Sequence, residues 1–207
     1  MDGSGPRDNR ADPGKYKKPR KRGPLKKLTL ERSALHYLGR YASTVEGLRR
    51  VLARRVEKAA REERCDRDEA SAWVEEVVAR FAQAGLVDDR SFAEGRVASL
   101  RRRGESARKI AFTLREKGVE PELIAAALAE QDGDEADDAE FAAACRLAQR
   151  RRLGAIRPED MRRDMRDRDL AALARAGFSF GVARRVLAIE DPETLEAAAR
   201  GRPLPDR

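Results

Sequence analysis

The sequence predicts an all-α protein made of three tandem three-helix repeats in an elongated, curved array, with a disordered basic N-terminal tail. Three observations favour this fold. Alanine, leucine, arginine and glutamate dominate the composition, and all four are strong helix formers. Apolar residues recur at helical spacing, and no segment shows the alternation that is typical of a strand. The same apolar spacing returns along the chain, which indicates repeated units.

The first 28 residues are expected to form the disordered tail. They are rich in glycine, proline and basic residues, and therefore have too little apolar surface to offset the entropy lost on ordering. Residues 1–27 carry ten Lys/Arg and three Asp, a net charge of +7, out of +8 for the whole chain. Such a tail attracts polyanions. The tail residues expected to make these contacts are Lys17, Lys18, Arg20, Lys21 and Arg22.

The repeats are visible in corresponding leucines. Leu38 and Leu52 lie 14 residues apart, as do Leu100 and Leu114, and LARAGF matches LREKGV in a weaker third copy. An insertion around VEKAAREERCDRDE is expected to lengthen the second and third helices of the first repeat. A single unit of this size has little core, so neighbouring units must cover one another's faces. The predicted divisions are a tail at 1–28, repeats at 29–87, 88–133 and 134–190, and a loose C-terminal tail at 191–207.

The stretch GLVDDRSFAE is predicted to join the first two repeats. Gly85 is placed to end one helix, and Leu86 to pack back on that helix. Asp88 or Asp89 is placed to cap the next helix, and Phe92 begins its apolar face. A catalytic or metal-binding role for the two aspartates would need converging partners. The chain has one histidine and no acidic cluster of defined spacing, so a structural junction is favoured.

Two clusters of basic residues are candidates for contact with a partner. Residues 96–117 contain eight Lys/Arg and two Glu. A phosphate backbone or an acidic protein surface would suit such a cluster, and a solvated helix face is the alternative. The candidate residues are Arg96, Arg101, Arg102, Arg103, Arg108, Lys109, Arg115, Lys117, Arg150, Arg151 and Arg152.

Other features of the sequence carry less functional information. The acidic residues 130–140 are expected to form a linker and a helix start, with docking to a basic surface as the alternative. Trp73 is expected to pack in a core or groove. The helix PELIAAALAEQ lacks the side chains that read base edges, which disfavours sequence-specific DNA binding. No phosphate loop, nucleophile motif or metal-ligand spacing is present, so neither an enzyme nor a cofactor or metal site is expected. No apolar run could span a bilayer, and we expect a soluble cytoplasmic protein without membrane contact.

Four segments, taken in order, resemble the RecX family of bacterial recombinase regulators. They are ALHYLGRYASTVEGLRRVLARRV, GLVDDRSFAE, ARKIAFTLREKGV and RAGFSFGVARRVL. The resemblance covers about residues 29–190 and implies three tandem three-helix units. It also implies a protein that binds the RecA filament on single-stranded DNA and modulates filament growth, ATP hydrolysis and strand exchange, usually by inhibition. We expect it to be a monomer.

The alternative function is that of a nonspecific nucleic-acid-binding helical protein. Such a protein would bind single-stranded or double-stranded DNA mainly through its basic tail and its arginine clusters. Composition alone leaves both functions open.

Overall fold

The structure is a computed structural model that describes residues 23–202, and every regular element in this part of the chain is helical. No helix among these residues is both long and apolar enough to cross a membrane. The prediction of an all-α fold is confirmed. Within residues 23–202 the helices are α1 (Lys27–Leu38), α2 (Val45–Arg61), α3 (Arg67–Gln83), α4 (Asp89–Arg102), α5 (Ala107–Glu116), α6 (Pro121–Asp132), α7 (Ala136–Arg151), α8 (Glu159–Arg175), α9 (Phe180–Leu187) and α10 (Pro192–Ala199).

The helices begin and end at residues that favour termini. Short polar side chains at the N-cap accept a hydrogen bond from a free backbone N–H of the first turn. The helices α5 and α8 are each followed by a glycine with positive φ, Gly118 at 81° and Gly177 at 97°, a conformation that glycine adopts without strain. The side chains that cap in this way are Thr44, Asp66, Asp88, Ser106, Ser179 and Asp191.

The buried apolar side chains form three separate clusters, one for each group of consecutive helices. Each fully buried leucine, isoleucine or valine contributes about 1.5–3 kcal/mol to folding. The first cluster begins at Leu25, before the predicted first repeat, the second falls within the predicted second repeat, and the third extends beyond residue 190. The clusters centre on Leu30, Leu48, Leu52 and Val77 in α1–α3, on Val97, Ile110 and Leu114 in α4–α6, and on Leu147, Leu173, Val186 and Leu195 in α7–α10.

The first unit is larger than the second because its last two helices are longer. Both α2 and α3 have 17 residues, whereas α5 has 10 and α6 has 12. The insertion seen in the sequence therefore lengthens these helices, as expected. Trp73 lies on α3 and is half-buried against the first core, which is the packing role that the sequence suggested.

The C-terminal segment differs from the expectation of a loose tail from residue 191. Asp191 caps α10, and Leu195 and Ala198 of this helix are buried in the third core. The third unit therefore has a fourth helix, which packs against α7. The segment PETLEAAA is short and alanine-rich, so its apolar pattern in the sequence is weak.

The N-terminal segment also becomes ordered earlier than predicted. Leu25 is buried, and its N–H donates to the carbonyl of Arg64 at 2.9 Å, so ordered structure begins before residue 28. The basic tail residues named above lie outside the described part of the chain. They are Lys17, Lys18, Arg20, Lys21 and Arg22.

Candidate functional site

The stretch GLVDDRSFAE forms the turn between α3 and α4. Gly85 follows α3 with a φ of 68°. Asp88 is the N-cap of α4, since its carboxylate accepts a hydrogen bond from the N–H of Arg90 at 2.9 Å. The same carboxylate accepts from the Ser91 hydroxyl at 2.6 Å. The Ser91 hydroxyl, together with the Arg90 N–H, favours the ionised form and holds the pKa of Asp88 below its ordinary value.

Asp89 caps a different helix. Its Oδ1 accepts from the N–H of Val45 at 2.8 Å, which is the first N–H of α2 in the preceding unit. The carboxylate is half-buried there, and this burial raises the pKa of Asp89 above its ordinary value. The sequence left open which aspartate serves as a cap, and the structure uses both. Neither belongs to a group of three potential metal ligands within residues 23–202.

The apolar residues of this turn are arranged differently from the prediction. Leu86, which was expected to pack back on α3, is 51% exposed, whereas the neighbouring Val87 is buried in the first core. Phe92 packs partly against the core of the second unit. Val87 therefore packs the turn against the first core, and Leu86 lies on the surface.

Thr44 completes the contact between the first and second units. Its hydroxyl is almost fully buried, donates to the carbonyl of Lys117 at 2.6 Å and accepts from the N–H of Gly47 at 2.9 Å. A Cβ at Gly118 would overlap the side chain of Glu46, so the glycine permits the close approach. The N-terminus of α2 therefore abuts the C-terminus of α5, and the opposite ends of their dipoles attract.

Ser106 makes the corresponding contact between the second and third units. Its buried hydroxyl donates to the carbonyl of Ala176 at 2.7 Å and accepts from the N–H of Lys109 at 3.2 Å. A Cβ at Gly177 would lie 2.5 Å from the Ser106 Oγ. The N-terminus of α5 therefore abuts the C-terminus of α8, in the same way that α2 abuts α5.

Both joints also use a carboxylate that comes from the following unit. Asp89 accepts from the first N–H of α2, and Glu140 accepts from the N–H of Ala107, the first N–H of α5, at 3.0 Å. Each joint thus combines a buried cap hydroxyl, a carbonyl that precedes a glycine, and a carboxylate from the next unit. The repetition shows that one mode of attachment links all three units.

Arg101 lies inside the second joint and is only 5% exposed. Its guanidinium donates to both carboxylate oxygens of Asp132 and to the carboxylate of Glu140. The expectation that Arg101 contacts an external partner is therefore wrong, because its side chain is enclosed and paired within the chain. Part of the acidic stretch 130–140 does bind a basic group, but that group belongs to the same molecule.

Two arginines of α7 bind carbonyls at the C-terminal end of α4, where Arg103 is the C-cap residue. Arg146 donates to the carbonyl of Arg101 at 3.3 Å, and Arg150 donates to the carbonyl of Arg103. The carbonyl of Arg101 also accepts from the N–H of Gly104 at 2.9 Å, so Arg146 adds a second hydrogen bond at this helix end. Burial, with Arg101 nearby, lowers the pKa of Arg146. Arg150 is therefore partly engaged inside the protein, although its side chain remains 46% exposed.

The other predicted contact residues are placed at the surface, except Arg96, which is half-buried. Four of them lie on α5 or on the residue that follows it, which gives this short helix a basic outer face. None of the exposed ones forms an ion pair with another residue in the range 23–202. They are Arg102, Arg103, Arg108, Lys109, Arg115, Lys117, Arg151 and Arg152.

The two thiols have no partner for a disulfide in this structure. Cys145 is buried in the third core, and burial raises its pKa to about 12, so the thiol stays protonated. Cys65 is half-buried against the first core. Both cysteines are therefore packing residues.

Known proteins resemble this chain over most of its length. The protein named Regulatory protein RecX of Myxococcus xanthus is 45% identical over 172 residues, which cover 83% of this chain and 89% of that protein. This chain belongs to the RecX family. A family model described as RecX, second three-helix domain, matches residues 88–128, which run from Asp88 into α6. RecX proteins are regulatory proteins and not a family of enzymes.

More distant RecX proteins match in part. Regulatory protein RecX of Streptomyces coelicolor is 41% identical over 115 residues, 55% of this chain and 57% of that protein. The crystal structure of RecX from Lactobacillus salivarius covers 77% of this chain and 92% of that chain, with a TM-score of 0.52 and 17% identity. A second crystal structure of a regulatory protein RecX covers 76% of this chain and 70% of that chain, with a TM-score of 0.54 and 21% identity. At these identities the two structures show the shared helical fold.

Proposed function

We propose that this RecX protein regulates the RecA recombinase. It binds RecA, or the RecA filament on single-stranded DNA, and inhibits filament growth, ATP hydrolysis and strand exchange. The observation that carries this proposal is the 45% identity to a protein named Regulatory protein RecX over most of both chains. The action takes place in the cytoplasm, in recombinational DNA repair and the SOS response, and the protein acts as a monomer.

The surface of the protein is compatible with an extended, charged partner. Three units are attached one after another by similar joints, so a partner can contact more than one unit at a time. The outer face of α5 carries Arg108, Lys109 and Arg115 without ion pairs to other described residues. Charges of this kind steer association and fix the orientation of a complex more than they increase its affinity. We therefore place the first contact with the filament on this face.

The direct test is a titration of the protein into RecA filaments assembled on single-stranded DNA. We expect ATP hydrolysis, strand exchange and mean filament length to fall as the protein approaches a stoichiometric ratio to RecA. An unchanged ATPase rate, strand-exchange yield and filament length at that ratio would refute the proposal.

A pair of charge-reversal variants tests the role of the α5 face. Arg108→Glu with Arg115→Glu should raise the protein concentration needed for half-inhibition of the ATPase. The matched control is Arg54→Glu with Arg55→Glu, which makes the same change of net charge on two exposed residues of α2. Equal losses in both double variants would show that net charge, rather than the α5 face, controls the interaction.

The exposed basic face of α5 also favours a second candidate function, nonspecific nucleic-acid binding without RecA. In this case the tail 1–22 and the arginine clusters would account for most of the activity, and each lost phosphate contact would reduce the salt dependence of DNA binding. A variant that lacks residues 1–22 and carries Arg102→Glu and Arg103→Glu should then bind DNA weakly and lose its cellular effect. If that variant still inhibits RecA, this second function fails as the main account.

A further inference from the structure

Two phenylalanines of this chain are unusually exposed. Of six phenylalanines, four lie in or against the three cores, whereas Phe112 and Phe180 are 54% and 59% exposed. A cation lies over each of these two rings. The Nζ of Lys109 is 5.3 Å from the centroid of Phe112, and the Cζ of Arg184 is 5.7 Å from that of Phe180. Each cation occupies one face of its ring, and the exposure of both rings leaves apolar area open to solvent.

The two exposed rings belong to segments that touch at the second joint. The turn between α8 and α9 lies against the first turn of α5, where a Cβ at Gly177 would be 3.6 Å from the backbone nitrogen of Lys109. Phe180 begins α9 three residues after this glycine, and Phe112 follows Lys109 by three residues on α5. Phe112 and Phe180 therefore belong to the two segments that meet at this contact between units.

The surroundings of these rings are strongly basic. Residues 106–117 and 174–184 together contain six Lys/Arg and one acidic residue, Glu116. None of these six cations forms an ion pair with another residue in the described range 23–202. A surface with free positive charge and exposed aromatic rings has the two features that bind single strands. The cations follow the phosphates, and unpaired bases stack on the rings.

We propose that the outer face of α5 and the first turn of α9 bind single-stranded nucleic acid directly, with unpaired bases stacked on Phe112 and Phe180. In a double helix the faces of the bases are covered by their neighbours, so this surface selects single strands. Every base has an aromatic face, so we expect little preference for sequence. The interaction is a property of this chain alone, and its test is therefore independent of the proposed regulation of RecA.

The experiment measures fluorescence anisotropy of a labelled oligothymidylate as the full-length protein is added. A second oligomer of the same length has the sugar–phosphate backbone without bases. We expect Phe112→Ala and Phe180→Ala each to weaken binding of the oligothymidylate at least about fivefold, the lower end of the effect of losing one stacked base. Binding of the abasic oligomer should not change, because only phosphates are contacted there.

Two control variants separate stacking from other effects. Phe112→Tyr keeps the ring and should bind as the wild type does. Leu35→Ala removes a side chain that is 53% exposed on α1, far along the sequence from the proposed surface, and should also leave binding unchanged. Thermal unfolding followed by circular dichroism checks that each variant is folded, which we expect because the replaced side chains are more than half exposed.

Several results would overturn the proposal. One is a wild-type protein that does not bind the oligothymidylate, and another is a pair of alanine variants that bind it as tightly as the wild type. An equal loss of binding to the abasic oligomer would show that the rings do not stack on bases. If the alanine variants bind the oligothymidylate normally but associate less with RecA, the surface contacts protein, and the proposal is also wrong.

Discussion

We expect the substitution Arg101→Met to lower the free energy of unfolding by about 3–5 kcal/mol. Arg101 joins α4 to the acidic side chains of Asp132 and Glu140, which are 7% and 19% exposed. Methionine retains much of the apolar stem of arginine but has no charge. Both carboxylates would then remain in the second joint without their cation.

The size of this effect follows from the bonds that are lost. The guanidinium makes two bonds to Asp132 and one to Glu140, and each hydrogen bond to a charged group contributes about 1.5–3 kcal/mol. The cost of dehydrating Arg101 offsets part of this sum, which leaves about 3–5 kcal/mol for breaking the buried cluster. Since the free energy of unfolding of a native protein is about 5–15 kcal/mol, this loss is a large fraction of the total stability.

Urea unfolding followed by far-UV circular dichroism measures the loss. The matched control is Arg102→Ala, which replaces the exposed neighbour and should change stability by no more than about 0.5 kcal/mol. Arg101→Lys should fall between the two, because it keeps the charge but not the fork that binds Asp132 at two atoms. A stability of Arg101→Met within about 1 kcal/mol of the wild type would refute the reasoning.

Three other substitutions test the joints between units. Gly177→Ala should destabilise the protein more than Gly85→Ala. Both glycines have positive φ, where an alanine costs about 1–2 kcal/mol, but only a Cβ at Gly177 would also meet the Ser106 Oγ. Equal urea midpoints for the two variants would contradict this. Ser106→Ala should lower the free energy of unfolding by about 1–3 kcal/mol, because it removes a helix cap and a buried bond to the next unit, and a loss under about 0.5 kcal/mol would argue against a role in the joint. The two junction aspartates should show opposite pH dependence in urea unfolding. The lowered pKa of Asp88 contributes stability that is lost as pH falls through that pKa, so Asp88→Asn should flatten the rise of stability with pH below about pH 4. The raised pKa of Asp89 contributes stability that is lost as pH rises through that pKa, so Asp89→Asn should steepen the rise just above about pH 4, and slopes that change in the same direction would contradict the assignment.

Local features of the fold could be predicted from the sequence, because they depend on residues close together in the chain. Helical spacing, cap residues and glycines identified the helices and the turn at GLVDDRSFAE. The joints could not be predicted in this way, since Thr44 meets Lys117 across 73 residues of chain. A signal for them was nevertheless present. Thr44 precedes the buried Leu48 by four residues, and Ser106 precedes the buried Ile110 by the same spacing.

The candidate site was harder to predict because charge alone does not show exposure. Arg101, Arg102 and Arg103 are adjacent and chemically equal, but only Arg101 turns toward the interior, where Asp132 and Glu140 come from a distant part of the chain. The segment of α10 was missed for a related reason. Its alanines are buried because they pack in the third core with α7, and their small side chains give no strong apolar signal in the sequence.

The repetition of the joint has a consequence for the path of the whole chain. Two attachments built from corresponding atoms impose a similar rotation and translation from one unit to the next. One such operation applied repeatedly generates a screw, and the hydroxyls of Thr44 and Ser106 lie at the contacts that define it. A change at either hydroxyl would therefore alter the pitch of the array while each unit keeps its own interior.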